Sequence, residues 1–338
     1  MNPGHSFAGW TTRANGWGVR YTAGSTFVMP PHDVTLHAWW IPTGEPLYTV
    51  SYEGNGSDGG DLPVDSNAYV FDDAVEIAEH GSLTRTGYTF VGWNTAADGS
   101  GAAYSPGPTT MPAADLILYA IWGNDNPVAQ WDMIAPAELL DTSGFGNDLH
   151  VADGAPLFGL FAGRPGLQFT GITDRLTSGP SATIQTIYGG MSVSFWSYGV
   201  ASGQGALVSL YTTSGDRVWA ISHQLPDELN VLDNAGYVGS SAVNFGASFV
   251  GGQWNHIVAV FDTAVSQITI HVNNGAPVSL ALNTALFGSA SVLYIGNNPP
   301  LNSAGDAPVN ATIAGVRLYN RPITAPEVSS LYNEPPVQ

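Results

Sequence analysis

Carboxylates dominate the side chains that could do chemistry in this 338-residue chain: 27 Asp and Glu, against eight basic residues, all Arg. A retaining glycosidase would need two of those acids about 5 Å apart across a sugar, which on one strand means acids at alternating positions. No segment that reads as a strand carries such a pair. The nearest cluster, Asp227-Glu228, consists of neighbours that would point to opposite faces of a strand. No Gly-x-Ser-x-Gly elbow is present to present a serine nucleophile, and the chain is expected not to be an enzyme.

Two other chemistries have candidate residues. Asp141, Asn147 and Asp148 flank a glycine-rich turn, with Asp132 just upstream. Hard oxygen donors close in sequence, with carbonyls between them, suit Ca²⁺; the competing reading is that Asp141 and Asn147 only shape the turn. Zinc is not expected, because the eight His lack ligand spacing. Sugar faces stack on aromatic rings while polar neighbours read the hydroxyls. The segment 211–223 offers Tyr211, Asp216, Arg217, Trp219 and His223, with Tyr237 and Asn298 in loops expected nearby. Trp219 reads alternatively as core, Trp196 and Trp254 read as core, and His256 as a structural histidine.

Charge narrows the partners. The formal net charge is −19 and there is no Lys, so no basic stripe exists to neutralise phosphates; nucleic acid is excluded, and anionic membrane surfaces are disfavoured. With no Cys there are no disulfides, thiolate sites or Cys nucleophiles. Polar, Gly and Pro residues interrupt every apolar run, so no segment of about 20 residues could insert into a bilayer as a helix.

The elements that position these residues begin with a duplication. Gly4-His5-Ser6-Phe7-Ala8-Gly9-Trp10 recurs as Gly87-Tyr88-Thr89-Phe90-Val91-Gly92-Trp93, followed by the matches Tyr21/Tyr104, Met29-Pro30/Met111-Pro112, Asp33/Asp115, Leu36/Leu118, Ala38/Ala120 and Trp40/Trp122. The first copy lacks its first half, so the N-terminus reads as cut. Alternation in the Val34, Leu36, Ala38, Trp40 series predicts half-buried strands. Residues 70–78 are ambiguous: Asp73-x-x-Glu76 could cap a helix, and Val75/Ile77 alternation fits a strand. The stretches 87–101, 111–115 and 118–122 resemble the Listeria–Bacteroides repeat of internalin-type surface proteins. That resemblance implies small β-grasp-like modules, partial over 1–41 and complete over 46–122, acting as a spacer in secreted or surface-attached bacterial proteins. It also implies a strand over 71–78.

After the polar linker 123–127, residues 128–335 read as eight or more short strands with turns between, which argues an antiparallel sandwich or jelly roll. Thr324-Ala325-Pro326-Glu327 is a capping box opening one helix, with Val328, Leu331 and Tyr332 on its apolar face. The order of Asp141–Asn147, Gly166–Gly171, Ser192–Trp196, Gln253–Asp262, Ile270–Gly275, Leu293–Gly296 and Ile313–Arg321 resembles the laminin-G-like, concanavalin A-like jelly rolls. That resemblance implies extracellular glycan or protein binding, often with a structural Ca²⁺. The family's usual Ile-Asp-Glu before the last helix is Ile313-Ala314-Gly315 here, which weakens the calcium expectation.

The fold expected is therefore all-β: β-grasp-like repeats, then an antiparallel β-sandwich with a short C-terminal helix. The function expected is a non-catalytic adhesion or carbohydrate-binding module, extracellular or on the cell surface, with a glycan or surface protein as partner. The alternatives are a structural subunit of a filament, sheath, phage fibre or wall array, with self-association, and an accessory arm of a larger enzyme.

Overall fold

The computed structural model describes residues 2–14, 19–22, 24, 26–134, 139–171, 173–185, 190–199, 206–225, 228–233, 236–237, 243–244, 251–289, 291–297 and 309–334. The chain divides into two compact units, 1–122 and 123–338. The regular structure of the described residues is strand apart from two helices, four and nine residues long.

The first unit holds both copies of the repeat. In the first copy, β1 (His5–Thr11), β2 (Arg20–Tyr21) and β3 (His37–Pro42) form a sheet in the order β2-β1-β3. In the second, β4 (Val50–Glu53), β6 (Tyr88–Asn94), β7 (Ala103–Tyr104) and β9 (Leu116–Asn124) lie in the order β4-β9-β6-β7, beside a hairpin-like pair of β5 (Ala74–Ile77) and β8 (Gly107–Thr110). β4 runs parallel to β9, and the other pairs with a resolved register are antiparallel. Residues 74–77 are strand and not helix, because Val75 and Ile77 alternate into the core while Asp73 takes Arg20 and the Val70 amide. Gly9 absorbs a bulge in β1: a Cβ there would meet the Tyr21 carbonyl at 2.4 Å.

The second unit is a two-sheet sandwich. Its strands are β10 (Ala129–Trp131), β11 (His150–Asp153), β12 (Leu157–Phe161), β13 (Arg164–Phe169), β14 (Arg175–Pro180), β15 (Gly190–Gly199), β16 (Ala206–Thr212), β17 (Arg217–Leu225), β18 (Glu228–Asp233), β19 (Gly236–Tyr237), β20 (Val243–Asn244), β21 (Trp254–Asp262), β22 (Gln267–Val272), β23 (Val278–Ala281), β24 (Ser291–Gly296) and β25 (Ala311–Tyr319). A one-turn helix α1 (Ala182–Gln185) precedes β15, and α2 (Ala325–Asn333) follows β25. One sheet runs β12-β13-β25-β15-β21-β22-β23 with β10 on β25; the other runs β11-β14-β24-β16-β17-β18-β19 with β20 on β18. Period-two alternation directs Val193, Phe195, Ile257, Ala259, Phe261, Ile313 and Leu318 of the first sheet against Val208, Leu210, Trp219, Ile221, Leu293 and Ile295 of the second. Full burial of each such side chain stabilises the fold by roughly 1.5–3 kcal/mol.

α2 covers the outer face of the first sheet. Thr324 and Glu327 complete the capping box, and Val328 and Leu331 pack on Val258, Val260, Tyr319 and Ile323. Arg321, itself buried, pairs with Glu327 through both guanidinium nitrogens and donates to the carbonyls of Asn124 and Asp125. No helix among the described residues is long and apolar enough to cross a membrane.

Candidate functional site

The central strand β15 carries its core residues on one face and Ser192, Ser194 and Trp196 on the other. Antiparallel register sets Ser194 opposite Arg317 of β25, and Trp196 opposite His256 of β21. These four side chains therefore meet on the outer face of the sheet. Between Ser194 and Trp196 the pairing with β25 slips, where Gly315 adopts a φ of +54°. An added Cβ at Gly315 would touch Trp196, so a larger side chain there would grow into the same space.

The result is a small, open cleft lined by Asp132, Arg164, Ser194, Trp196, His256, Gly315, Arg317, Leu331 and Glu334. Arg164 arrives from the β12–β13 hairpin, whose two-residue turn has positive φ at both Ala162 and Gly163. Its guanidinium lies 3.9 Å from the Trp196 ring centroid. Among the described residues no carboxylate forms an ion pair with Arg164, and burial pulls its pKa down. Arg317, by contrast, is neutralised by Glu334 at 2.5 Å. Asp132 accepts hydrogen bonds from Gln130 and Thr142.

His256 closes the floor. It is 1% exposed, and its Nε2 lies 2.8 Å from the Ser194 hydroxyl. Its Nδ1 has no hydrogen-bond partner among the described residues. Burial first, then Arg164 and Arg317, pull its pKa down to about 3, so the ring is neutral at physiological pH. Whichever tautomer the Ser194 contact selects, one polar ring atom is left to be satisfied. Among the described residues no carboxylate orients His256 Nδ1 as a nucleophile–base–acid relay requires, and Ser194 is 2% exposed.

Of the residues singled out from sequence, Tyr211 and Arg217 are cross-strand partners at the β16–β17 turn. Trp219 is fully buried, stacks on Phe261 at 4.8 Å and donates its indole N–H to the Met191 sulfur, so it is core and unavailable to a sugar. Tyr211 is also buried, edge-on to Tyr294. Asp216 caps the β16–β17 turn through Ser214, and Arg217 donates to the Asp233 carbonyl. The side chains of His223 and Tyr237, and the whole of Asn298, lie outside the described residues. Conversely, Trp196 and Trp254 are only half-buried, and the sequence reading missed that Trp196 lines a cleft. The signal was present: Trp196 is in phase with Ser192 and Ser194, not with Val193 and Phe195.

The calcium candidates form a loop that satisfies itself. The Asp141 carboxylate accepts the backbone N–H groups of Gln130, Ser143 and Asn147. Burial pushes its pKa up, but the Ser143 hydroxyl and those amides outweigh burial and hold it below the usual range. Asp148 accepts the Asp141 amide. The Asn147 side chain donates to the Val128 carbonyl and accepts from the Ser181 and Thr183 hydroxyls. Asp132 belongs instead to the cleft. Backbone N–H groups thus already take much of the acceptor capacity of Asp141, while Asp148 accepts one hydrogen bond at Oδ1; no cluster of three or more metal-type side chains occurs among the described residues.

Two stacked, mainly antiparallel sheets closed by a C-terminal helix define a jelly-roll β-sandwich. Residues 170–329 match the family described as the concanavalin A-like lectin/glucanases superfamily, and residues 1–39 and 48–121 match the Listeria-Bacteroides repeat domain. The chain is thus a pair of Listeria-Bacteroides repeats followed by a member of the concanavalin A-like lectin/glucanases superfamily. A Gly-rich membrane protein of Evansella cellulosilytica is 39% identical over 124 residues, covering 35% of this chain and 14% of its own length. A second membrane protein of that organism is 39% identical over 127 residues, covering 36% of this chain and 18% of its own. The matches thus span less than a fifth of these relatives. Among solved structures, the botulinum neurotoxin serotype D binding domain aligns at TM-score 0.46 and 12% identity over 62% of this chain and 51% of its own. Trypanosoma rangeli sialidase aligns at TM-score 0.46 and 18% identity over 60% and 32%.

Proposed function

We propose that residues 123–338 are a non-catalytic extracellular binding head for an acidic glycan, carried on the repeats as a spacer. The observation that carries this reading is Arg164: a half-buried guanidinium over the Trp196 ring, with no carboxylate paired to it among the described residues, lining a cleft that also holds the His256 Nδ1, which has no partner among those residues. A planar carboxylate on a sugar would take the guanidinium in fork geometry, and a hydroxyl would satisfy the imidazole. At physiological salt the Debye length is about 8 Å, so the −19 charge does not govern a contact made inside the cleft.

Calorimetric titration and affinity gels against uronate-containing and neutral polysaccharides test the reading. Binding to the acidic set, reduced at least about tenfold by Arg164→Ala, is the expected result. Silence on every glycan, or affinity untouched by Arg164→Ala and Trp196→Ala, refutes it.

A further inference from the structure

One edge of the sandwich is open. β11 ends one sheet and β12 ends the other, and only Gly154, Ala155 and Pro156 separate them in the chain. Along this edge the phase of the strands and the exposure of their residues disagree. Phe158 stands opposite Leu167, and Val151 opposite Leu176, and both partners are core residues. Directly opposed residues share a face of the sheet, so Val151, Phe158 and, two residues on, Leu160 face the interior of the sandwich. Yet they are 50%, 39% and 73% exposed. The core therefore reaches solvent at this edge.

The backbone is open there too. The β12–β13 hairpin closes on Phe161 and Arg164 around its two-residue turn, so Phe161, Gly159 and Leu157 exchange backbone hydrogen bonds with β13. Phe158 and Leu160 fall at the alternate pairs, and Pro165, opposite Leu160, has no N–H to give. Their N–H and C=O groups aim at the free edge, where no strand pairs among the described residues. Edge strands are commonly blunted by charge, proline or a bulge. β12, Leu-Phe-Gly-Leu-Phe, contains none of the three in a chain with 27 acids.

The strand is also self-complementary. Turned end for end about Gly159, it sets Leu157 against Phe161 and Phe158 against Leu160. The outward-aimed backbone groups then meet: Phe158 of one copy and Leu160 of the other exchange both bonds, and symmetry repeats the exchange. The Gly159 pair falls at the non-hydrogen-bonded position, where Cα atoms approach to about 4.5 Å. Charge agrees with this direction. Residues 154–163 are uncharged, with Asp153 before them and Arg164 after them. An antiparallel copy brings acidic end to basic end, whereas a parallel copy brings like to like.

We propose that β12 is a homodimer seam: a second copy of this chain pairs antiparallel with it about Gly159, closing the core edge that Val151, Phe158 and Leu160 leave open. The two-fold axis of such a seam is perpendicular to the joined sheet, so the outer-face clefts of both copies open on the same side. That bivalence rests on the glycan reading; the seam does not.

Sedimentation velocity of the full chain over a concentration series is expected to show a monomer–dimer equilibrium. Leu160→Lys is expected to weaken dimerisation at least about tenfold with an unchanged circular dichroism spectrum, because Leu160 is exposed in the single copy. The chain has no Cys, so cross-linking reads the register. Gly159→Cys is expected to oxidise to a disulfide-linked dimer; its Cβ meets only the ring of Phe161, at 3.0 Å, which can turn aside. Leu157→Cys, roughly 14 Å along the seam from its own mate, is expected not to. A chain that stays monomeric overturns the proposal, as does a dimer indifferent to Leu160→Lys or cross-linked as readily through Leu157→Cys. A monomer that collects on neutral lipid vesicles, and ceases to with Leu160→Lys, also overturns it, since a bilayer would then be the occupant. None of these readouts needs a glycan.

Discussion

Glu327 is the residue through which pH should reach the jelly roll. Its carboxylate takes both guanidinium nitrogens of Arg321 together with the amide and hydroxyl of Thr324. The Arg321 contact above all holds its pKa down, from 4.5 to about 2. Because the folded value is depressed, the stabilisation is fully present above the unfolded pKa and is lost as pH falls from about 4.5 towards 2. At about 1.4 kcal/mol per pH unit the ceiling is roughly 3 kcal/mol. Glu327 is 38% exposed, and solvent screening reduces this to about 1–2 kcal/mol. Glu327→Gln should therefore cost about 1–2 kcal/mol at pH 7, with a gap to the parent protein that closes as pH approaches 2. Urea unfolding followed by near-ultraviolet circular dichroism, at matched salt across pH 2–7, reads this gap directly; the parent-minus-variant difference removes the other carboxylates. A gap that is zero at pH 7, or that persists unchanged to pH 2, would refute the assignment of the capping carboxylate as a charged partner of buried Arg321.

Trp219→Ala should destabilise the second unit by about 3–5 kcal/mol, seen as a fall of several degrees in its calorimetric transition; an unchanged transition with lost ligand binding would restore Trp219 to the surface. Ala162→Asn should stabilise by about 0.5–1 kcal/mol in urea unfolding, because Ala162 holds a φ of +45° in a two-residue hairpin turn that Asn-Gly prefers. Millimolar Ca²⁺, or a chelator, should leave the melting temperature of the second unit unmoved; a saturable upward shift abolished by Asp141→Asn would show that the 141–148 loop rearranges to take the ion.

The sequence carried the strands because their faces differ in polarity, and the second helix because Thr324 and Glu327 sit at capping-box spacing. It failed at the tryptophans for a reason visible in the strands. In β17, Trp219 shares a phase with Arg217 and His223, which disguises a core position; only Ile221 in that phase betrays it. In β15, the residue in phase with two serines is the one that faces out. Arg164 was illegible for a different reason. It reaches Trp196 across β25, a pairing between residues more than thirty apart in sequence that no local pattern encodes. The 141–148 loop stays ambiguous in sequence because Asp and Asn serve turns and cations with the same oxygens, and the direction of nearby N–H groups is a matter of geometry.

The cleft and the helix beside it are one construction. Leu331 and Glu334 wall the cleft, Tyr332 stacks on Trp196 at 5.9 Å, and all three depend on the helix that Arg321 and Glu327 anchor. On the opposite side, Gly315 leaves free the volume that an acidic side chain would take in the Ile-Asp-Glu pattern the wider family favours. A carboxylate there would change the electrostatics as well as the room: among the described residues no carboxylate pairs with Arg164, while Arg317 has Glu334. Restoring the acid tests the argument from within. Gly315→Glu should fill the cleft and offer Arg164 an internal carboxylate. Gly315→Ala meets the same backbone cost at φ +54° while adding only a methyl group. If acidic-glycan binding survives Gly315→Ala and is lost with Gly315→Glu in proteins of equal thermal stability, the cleft is the binding site. If both variants bind equally well, the ligand sits elsewhere on the sandwich.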